Sequence, residues 1–391
     1  MFAVSKSIKF IGTDDDNLDL FEAQYPVPAG VSYNSYLIED EKIAIVDAVD
    51  VRRKSDWLEN VTMALGDRRP QYLIVQHVEP DHSGSIAALL ERYPDLKVVA
   101  TAKALTMLGN FFDGIDFEAR GMAVCDGDTL NLGHDELKFF TAPMVHWPEV
   151  MMTLHPSDGV LFSADAFGTF AMSTAPADEW DTEARRYYCN IVGKYGPQVR
   201  AVMKKLTGVP FSVIAPLHGP VLTGDLNHYW MKYDKWSGYE PETPGVLVAY
   251  ASVYGGTARA ARRLADLLQT AGAGEVVVFD LCRHDVSYAV AQAFRLSAMV
   301  LCSVTYDAAL FPAMYNFLHH LKMKNFRGRC VGLVENGSWA PVAARQMSAM
   351  LAEMPDMEIV GPTVTIHSRL HPADDEALDQ LAQAVTTRTQ C

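Results

Sequence analysis

The sequence predicts an α/β protein of two successive domains, a layered α/β sandwich followed by a doubly wound parallel sheet, and three observations predict it. Before position 237 many short strand-like runs are served by few helical segments. After it, strand-like and helical runs alternate one for one. Between them lies SGYEPETPG, Ser237 to Gly245, whose prolines and glycines suit neither element and mark a linker. A chain of 391 residues, 49% hydrophobic, also exceeds what one core normally holds. The division adopted is 1–243 and 244–391.

The first-half strands are read at YNSYLIED, KIAIVDA, YLIVQH, LKVVAT, LKFFTA, EVMMTL and GVLFSAD, with a helical period over Ser83 to Arg92. So many strands per helix argue for a sandwich and against a βαβ repeat. The second-half strands are read at VLVAYAS, EVVVFDL, AMVLCSV, CVGLVEN and MEIVGPT. Five such runs, each separated by one helix, give a parallel sheet with helices on both faces.

Composition excludes several classes. No apolar run reaches the roughly 18 to 20 residues of a membrane span, and the N-terminus has no apolar stretch with a small-residue cleavage site, so a cytoplasmic chain is expected. The net charge of −15 disfavours nucleic acid and offers no basic surface to a membrane. Of the 33 Lys and Arg and 48 Asp and Glu, 12 and 13 follow Gly245, so nearly all of the negative charge belongs to the first half. Cys125, Cys189, Cys282, Cys302, Cys330 and Cys391 show no CxxC spacing and read as buried reduced thiols.

Chemistry concentrates in QHVEPDHSG, where His77, Glu79, Asp81 and His82 crowd one strand-to-helix loop. Such groups repel and desolvate one another unless a cation compensates them. One loop cannot close a metal site, and three further residues follow apolar runs beside Pro or Gly: His146 in VHWPE, Asp165 in FSADAFG and His218 in PLHGP. His134, His155 and His228 have no such setting and read as surface or core residues.

This order of ligands resembles the metallo-β-lactamase superfamily, in which an HxHxDH loop, a later His, a bridging Asp and a final His bind two metals. Here Glu79 stands in place of the second histidine, giving four imidazoles and three carboxylates. A charged oxygen in place of a nitrogen suits iron cycling between two oxidation states better than zinc. The HxExDH form, with HWPE and SADAFG downstream, resembles the flavodiiron proteins over essentially the whole chain. That resemblance implies an αββα metallo-β-lactamase-like sandwich followed by a flavodoxin-like domain. It implies that His77, Glu79 and His146 hold one iron, that Asp81, His82 and His218 hold the other, and that Asp165 bridges them. No catalytic residue beyond these ligands is expected, with Glu149 and Tyr188 as the nearest candidates for moving protons.

In the second half, Ser252, Val253, Tyr254, Gly255, Gly256 and Thr257 join a first strand to its helix. Backbone N–H groups and hydroxyls there suit a terminal phosphate at the positive end of a helix. The loop lacks GxGxxG and GxxxxGK[ST], which disfavours dinucleotides and nucleoside triphosphates. Two further loops close strands: Ser303, Val304, Thr305, Tyr306 and Asp307, and then Glu335 followed by Asn336, Gly337, Ser338 and Trp339. In a doubly wound sheet these ends line the ligand crevice, and Tyr306 and Trp339 can cover a flat ring. The set resembles flavodoxin, which implies FMN. Departures from the common pattern, above all Asp307 and Glu335, place negative charge near such a ring, where it would disfavour a reduced anion. Lys322, Lys324, Arg327 and Arg329 precede the CVGLV strand, at the end opposite the crevice, and read as a solvated loop.

Together the resemblances imply an oxidoreductase that reduces dioxygen to water, or nitric oxide to nitrous oxide, with electrons passed through FMN from rubredoxin or a similar donor. They imply a head-to-tail homodimer or a dimer of dimers. The rival reading is a zinc-dependent hydrolase with an appended flavodoxin-like module.

Overall fold

The structure, a computed structural model, describes residues 1–389. It divides into two compact units, one of Met1–Tyr188 and Pro197–Asp234, the other of Cys189–Gly196 and the chain from Lys235 onward.

The first unit is built on two sheets. Seven strands lie side by side in chain order: Phe2–Ala3, Ile8–Phe10, Tyr36–Ile38, Ala44–Val46, Tyr72–Ile74, Lys97–Ala100 and Gly121–Ala123. Five more form the second sheet, also in chain order: Thr129–Asn131, Glu136–Thr141, Met151–His155, Val160–Phe162 and Val213–Ala215. Alternate residues of each strand face the other sheet, as the two-residue period demands. Tyr36, Ile38, Ala44, Val46 and Ile74 thus share a core with Leu137, Phe139, Val160, Phe162 and Ala215. The rings of Tyr36 and Phe162 meet across the sheets at 5.1 Å.

Register gathers the functional loops. Val46 pairs with Ile74 and Phe162 with Ala215, both in parallel, so the loops after each pair leave the same edge. Thr141 pairs with Met151 in an antiparallel turn, which holds His146 between them.

The second unit has the strand order Glu275–Asp280, Thr243–Ala251, Leu296–Tyr306, Cys330–Asn336, with Glu358–Ile359 and Val364–Ile366 both beside the last. These pairings are all parallel. Of the fifth run, MEIVGPT, only Glu358–Ile359 is strand: Gly361 takes φ +68° and Pro362 follows it, and pairing resumes at Val364–Ile366, beyond the run. Ala251, Ser303, Glu335 and Thr365 pair in one row, which brings the ends of four strands level.

Three expectations are corrected. The strand begins at Thr243, so the irregular stretch after Leu226–Ser237 is shorter than SGYEPETPG; Pro244 is accommodated where the register shifts between Thr243 and Val246. Cys189, Cys302 and Cys330 are buried free thiols, but Cys125 and Cys282 are exposed, and Cys391 lies outside the described residues. Arg329 is not solvated. Only 3% exposed, it donates to the carbonyls of Leu296, Tyr239 and Phe294 at 2.8, 2.7 and 2.9 Å. Among the described residues no helix is long and apolar enough to cross a membrane.

A candidate metal centre and an aromatic crevice

The strand Tyr72–Ile74 leads to a short helix, Pro80–Ser83, with His77 and Glu79 in the turn between them and Asp81 and His82 in the helix. Pro80 at the first helical position supplies the fixed φ that starts this helix. The result is two clusters. His77, Glu79, His146 and Asp165 offer one ligand atom each within 4.8 Å, and Asp81, His82 and His218 do the same. Asp165 joins them. Its Oδ2 lies 3.3 Å from His77 Nε2 and 3.1 Å from His146 Nε2, its Oδ1 3.3 Å from His82 Nε2 and 3.6 Å from His218 Nε2.

The donor set fits cations and little else. His77 Nδ1 donates to Glu149 Oε1 at 2.8 Å and His218 Nδ1 to the Ser32 carbonyl at 2.7 Å, so in the neutral rings both Nε2 lone pairs point inward. His77 Nε2 then faces Glu79 Oε2 at 3.1 Å, and His218 Nε2 faces His82 Nε2 at 3.0 Å. Lone pairs aimed at carboxylates and at one another require protons or metal between them.

Without metal, protons take that place. Burial disfavours a charged His146, but Asp165 and Glu79 outweigh it and push its pKa up to about 9. His77 and His82 are likewise raised against burial, His77 mainly by Asp165 and Glu149, His82 mainly by Asp81 and Asp165. Burial opposes ionisation of Glu79 as well, yet His146 and His77 hold it down at about 2. The raised His146 stabilises the metal-free fold fully below its ordinary value of 6.5, and that contribution fades as pH rises through about 9. Metal affinity runs the opposite way. A cation must displace the proton, so affinity should climb with pH up to about 9 and binding at pH 7 should release protons. Calorimetric metal titrations in buffers of different ionisation enthalpy check this, and a pH-independent affinity would count against it.

His218 is held by a turn that only glycine fits. Gly219 has φ +82°, and a Cβ there would lie 2.2 Å from Thr169 Cγ2. Its N–H donates to Ser32 Oγ at 2.6 Å, the residue whose carbonyl orients His218. Gly219→Ala should therefore cost about 1–3 kcal/mol in stability and lower metal content, read by thermal melts beside metal analysis. Phe21, Tyr33, Asp50 and Arg52 surround a cavity of about 240 Å³ that opens on Glu79 and Asp81.

Of the two residues considered for protons, Glu149 is bound to His77. Tyr188 packs on Tyr233, with centroids 5.0 Å apart. The tyrosine beside the ligands is Tyr187, whose ring is 5.6 Å from His218. Burial, and then Asp165, raise its pKa well above the ordinary phenol value. Asp47 was also missed. Fully buried, it accepts from Gln76 N at 2.8 Å and Gln76 Nε2 at 2.9 Å, fixing the start of the ligand loop.

In the second unit the level strand ends enclose a crevice of about 570 Å³, within the usual range for a cofactor site. Ser252, Val253, Tyr254, Gly256 and Thr257 line one side, Val304, Thr305, Tyr306 and Asp307 another, and Asn336, Gly337, Ser338 and Trp339 a third. Gly255 and Ser303 do not line it: Gly255 caps the helix Gly256–Thr270 with φ +86°, and Ser303 is fully buried in its strand. Ala308, Ala340 and Ser368 line it without having been foreseen. Glu335 turns away from it, accepting from Ala344 N at 2.9 Å and Thr365 Oγ1 at 3.0 Å. Among the described residues Asp307 is thus the one charged residue on the wall, and no lysine or arginine joins it. Tyr254 is 100% and Trp339 91% exposed, an aromatic surface that calls for a cover. Free N–H groups at the start of a fifteen-residue helix, with Thr257 beneath, suit a phosphate without cationic help.

Comparisons with known proteins agree with this geometry. Residues 31–219 match a family described as ODP family beta lactamase. The anaerobic nitric oxide reductase flavorubredoxin of Aeromonas hydrophila is 28% identical over 361 residues, spanning 90% of this chain and 72% of that one. The rubredoxin oxygen:oxidoreductase from the anaerobe Desulfovibrio gigas superposes with a TM-score of 0.93 at 25% identity, covering 99% of this chain and 98% of the other. The flavodiiron protein from Giardia intestinalis gives the same TM-score of 0.93 at 24% identity, over 100% and 96%, and shows the shared fold. Fold and site thus define a metallo-β-lactamase-like protein with two metal-binding clusters and a flavodoxin-like second unit. Over nearly its whole length the chain is similar to the flavodiiron proteins.

Proposed function

We propose that this protein is a diiron, FMN-dependent oxidoreductase that reduces dioxygen to water, nitric oxide to nitrous oxide, or both. The observation that carries the reading is the pair of clusters joined by Asp165, with Glu79 supplying an oxygen where a zinc hydrolase of this fold would have a histidine. His77, Glu79 and His146 are assigned to one iron, Asp81, His82 and His218 to the other, and Asp165 to both. When bound, FMN would supply the exchange between two-electron and one-electron transfer, and two irons held by these ligands would supply electrons for reducing a small diatomic gas.

The protein's own part is positioning. His77 and His218 are oriented by Glu149 and by the Ser32 carbonyl, which keeps their Nε2 lone pairs aimed inward. The cavity beside Phe21 and Tyr33 gives a small molecule access to the Glu79 and Asp81 side. The loop 252–257 is assigned to the phosphate, with Tyr306 and Trp339 over the ring. The metal site belongs to residues 1–243 and the flavin to 244–391 in this reading. Rubredoxin or a similar carrier as donor, and a head-to-tail homodimer or a dimer of dimers, are taken over from the family resemblance. The net charge of −15 argues against a nucleic-acid or membrane-surface partner, and a cytoplasmic location is carried over from the sequence reading.

Metal analysis and anaerobic assays test the reading together. Two irons and one FMN per chain, with consumption of either gas by the reduced protein, are expected. Two zincs and no iron would overturn it in favour of the hydrolase.

A further inference from the structure

A ligating imidazole donates only as well as the partner of its other nitrogen allows. Three histidines of the site differ in that partner. His77 Nδ1 meets Glu149 Oε1 at 2.8 Å, with both side chains fully buried. His218 Nδ1 meets a neutral acceptor, the Ser32 carbonyl, at 2.7 Å. His82 Nδ1 is buried with no hydrogen-bond partner among the described residues. The series runs from carboxylate through carbonyl to nothing.

Glu149 is rigidly placed for this task. The same Oε1 accepts from Val78 N at 3.1 Å, the amide that follows His77, and Thr101 Oγ1 donates to the Glu149 carbonyl at 3.0 Å. Its Oε2 is buried and unpartnered. A buried carboxylate with a bare oxygen is costly unless positive charge lies close by, and a cation on the far face of His77 supplies it. The neighbouring carboxylates do not balance the series. Asp47 gives its oxygens to Gln76 and the His77 backbone and bonds no imidazole nitrogen, while Asp15 receives Arg52 at 3.1 Å. Asp50 caps the Arg52 amide at 2.8 Å.

We propose that Glu149 is a positioning residue that makes the two metal positions unequal: the position between His77, Glu79 and His146 binds its cation more tightly than the one between Asp81, His82 and His218, and holds the higher charge when the pair is half oxidised. The inference rests on the two-metal reading above. A carboxylate drawing on the Nδ1 proton leaves Nε2 more electron-rich, and a richer donor favours the more highly charged ion.

Cobalt(II), added to the metal-free full-length chain, is the probe. With one equivalent per chain, anomalous diffraction should find cobalt first on the His77 side, and calorimetry should resolve two steps. Glu149→Gln keeps the acceptor and the size but removes the charge. It should weaken the tighter step about 10- to 100-fold and leave the weaker one in place, so that the steps merge. In the iron-loaded chain the same change should raise the first oxidation potential by about 59 mV for each tenfold loss in preference for the ferric ion. Glu149→Asp, which keeps the charge, should restore part of the gap. Cobalt entering both positions equally, or the Asp81 side first, overturns the proposal, as does equal weakening of both steps in Glu149→Gln. Should that variant fail to fold, the filling order in the unaltered chain still decides. A chain that binds no metal pair at all instead overturns the functional reading, so the two failures are distinguishable.

Discussion

Asp165→Ala should leave the protein with its FMN and without its metals. Its two oxygens stand between four imidazoles, within 3.1 to 3.6 Å of each. Without them, two cations would face each other across His77, His146, His82 and His218 with Glu79 and Asp81 as the remaining carboxylates within the two clusters. Loss of an outer partner of a ligand already weakens metal binding about 10- to 100-fold, and loss of a shared ligand should exceed that. We expect less than a tenth of the wild-type iron, on the order of a hundredfold less gas consumption, and an unchanged flavin spectrum. Metal analysis, absorbance and an oxygen or nitric oxide electrode read these separately. Two retained metals with undiminished gas consumption would contradict the assignment of Asp165 as the bridge.

What the sequence disclosed depended on how local each feature is. His77, Glu79, Asp81 and His82 lie within six positions and follow an apolar strand, so their convergence could be read directly. The seven strands read before position 237 are all present, because each carries buried apolar residues. Phe2–Ala3, of two exposed residues, displays no period and is made by pairing with Ile8–Phe10. Orientation was illegible too. Tyr187 and Tyr188 are adjacent in sequence, but about 100° of helical rotation separates neighbours, enough to send one to His218 and the other to Tyr233. Ser368 reaches the crevice only because Val364–Ile366 pairs beside Val334–Asn336. The basic run misled for a related reason: the carbonyls that bury Arg329 come from Tyr239, Phe294 and Leu296, all far from it in the chain.

Gly256→Ala should produce the mirror image of Asp165→Ala, a chain with its metals and without its flavin. A Cβ at Gly256 would lie 2.3 Å from the Ser368 carbonyl and 3.1 Å from Asn336 Nδ2, and the carbonyl belongs to backbone that cannot swing aside. Asn336 Nδ2 itself donates to that carbonyl at 3.2 Å, so the clash would push apart two walls of the crevice at once. The N–H groups at the start of Gly256–Thr270 would move with the loop. Hydrogen bonds to a charged phosphate are worth about 1.5–3 kcal/mol each, so losing one weakens FMN by roughly ten- to a hundredfold and losing two by roughly a hundredfold or more. Released flavin, measured by fluorescence after gel filtration, and full iron content are the expected pair of results. Gas consumption driven by a flavin-dependent donor should fall in parallel, although every metal ligand is intact. Full FMN retention in Gly256→Ala would mean that the phosphate is held elsewhere, since no ligand could keep the wild-type contacts to that loop while the loop gives way to the new methyl group.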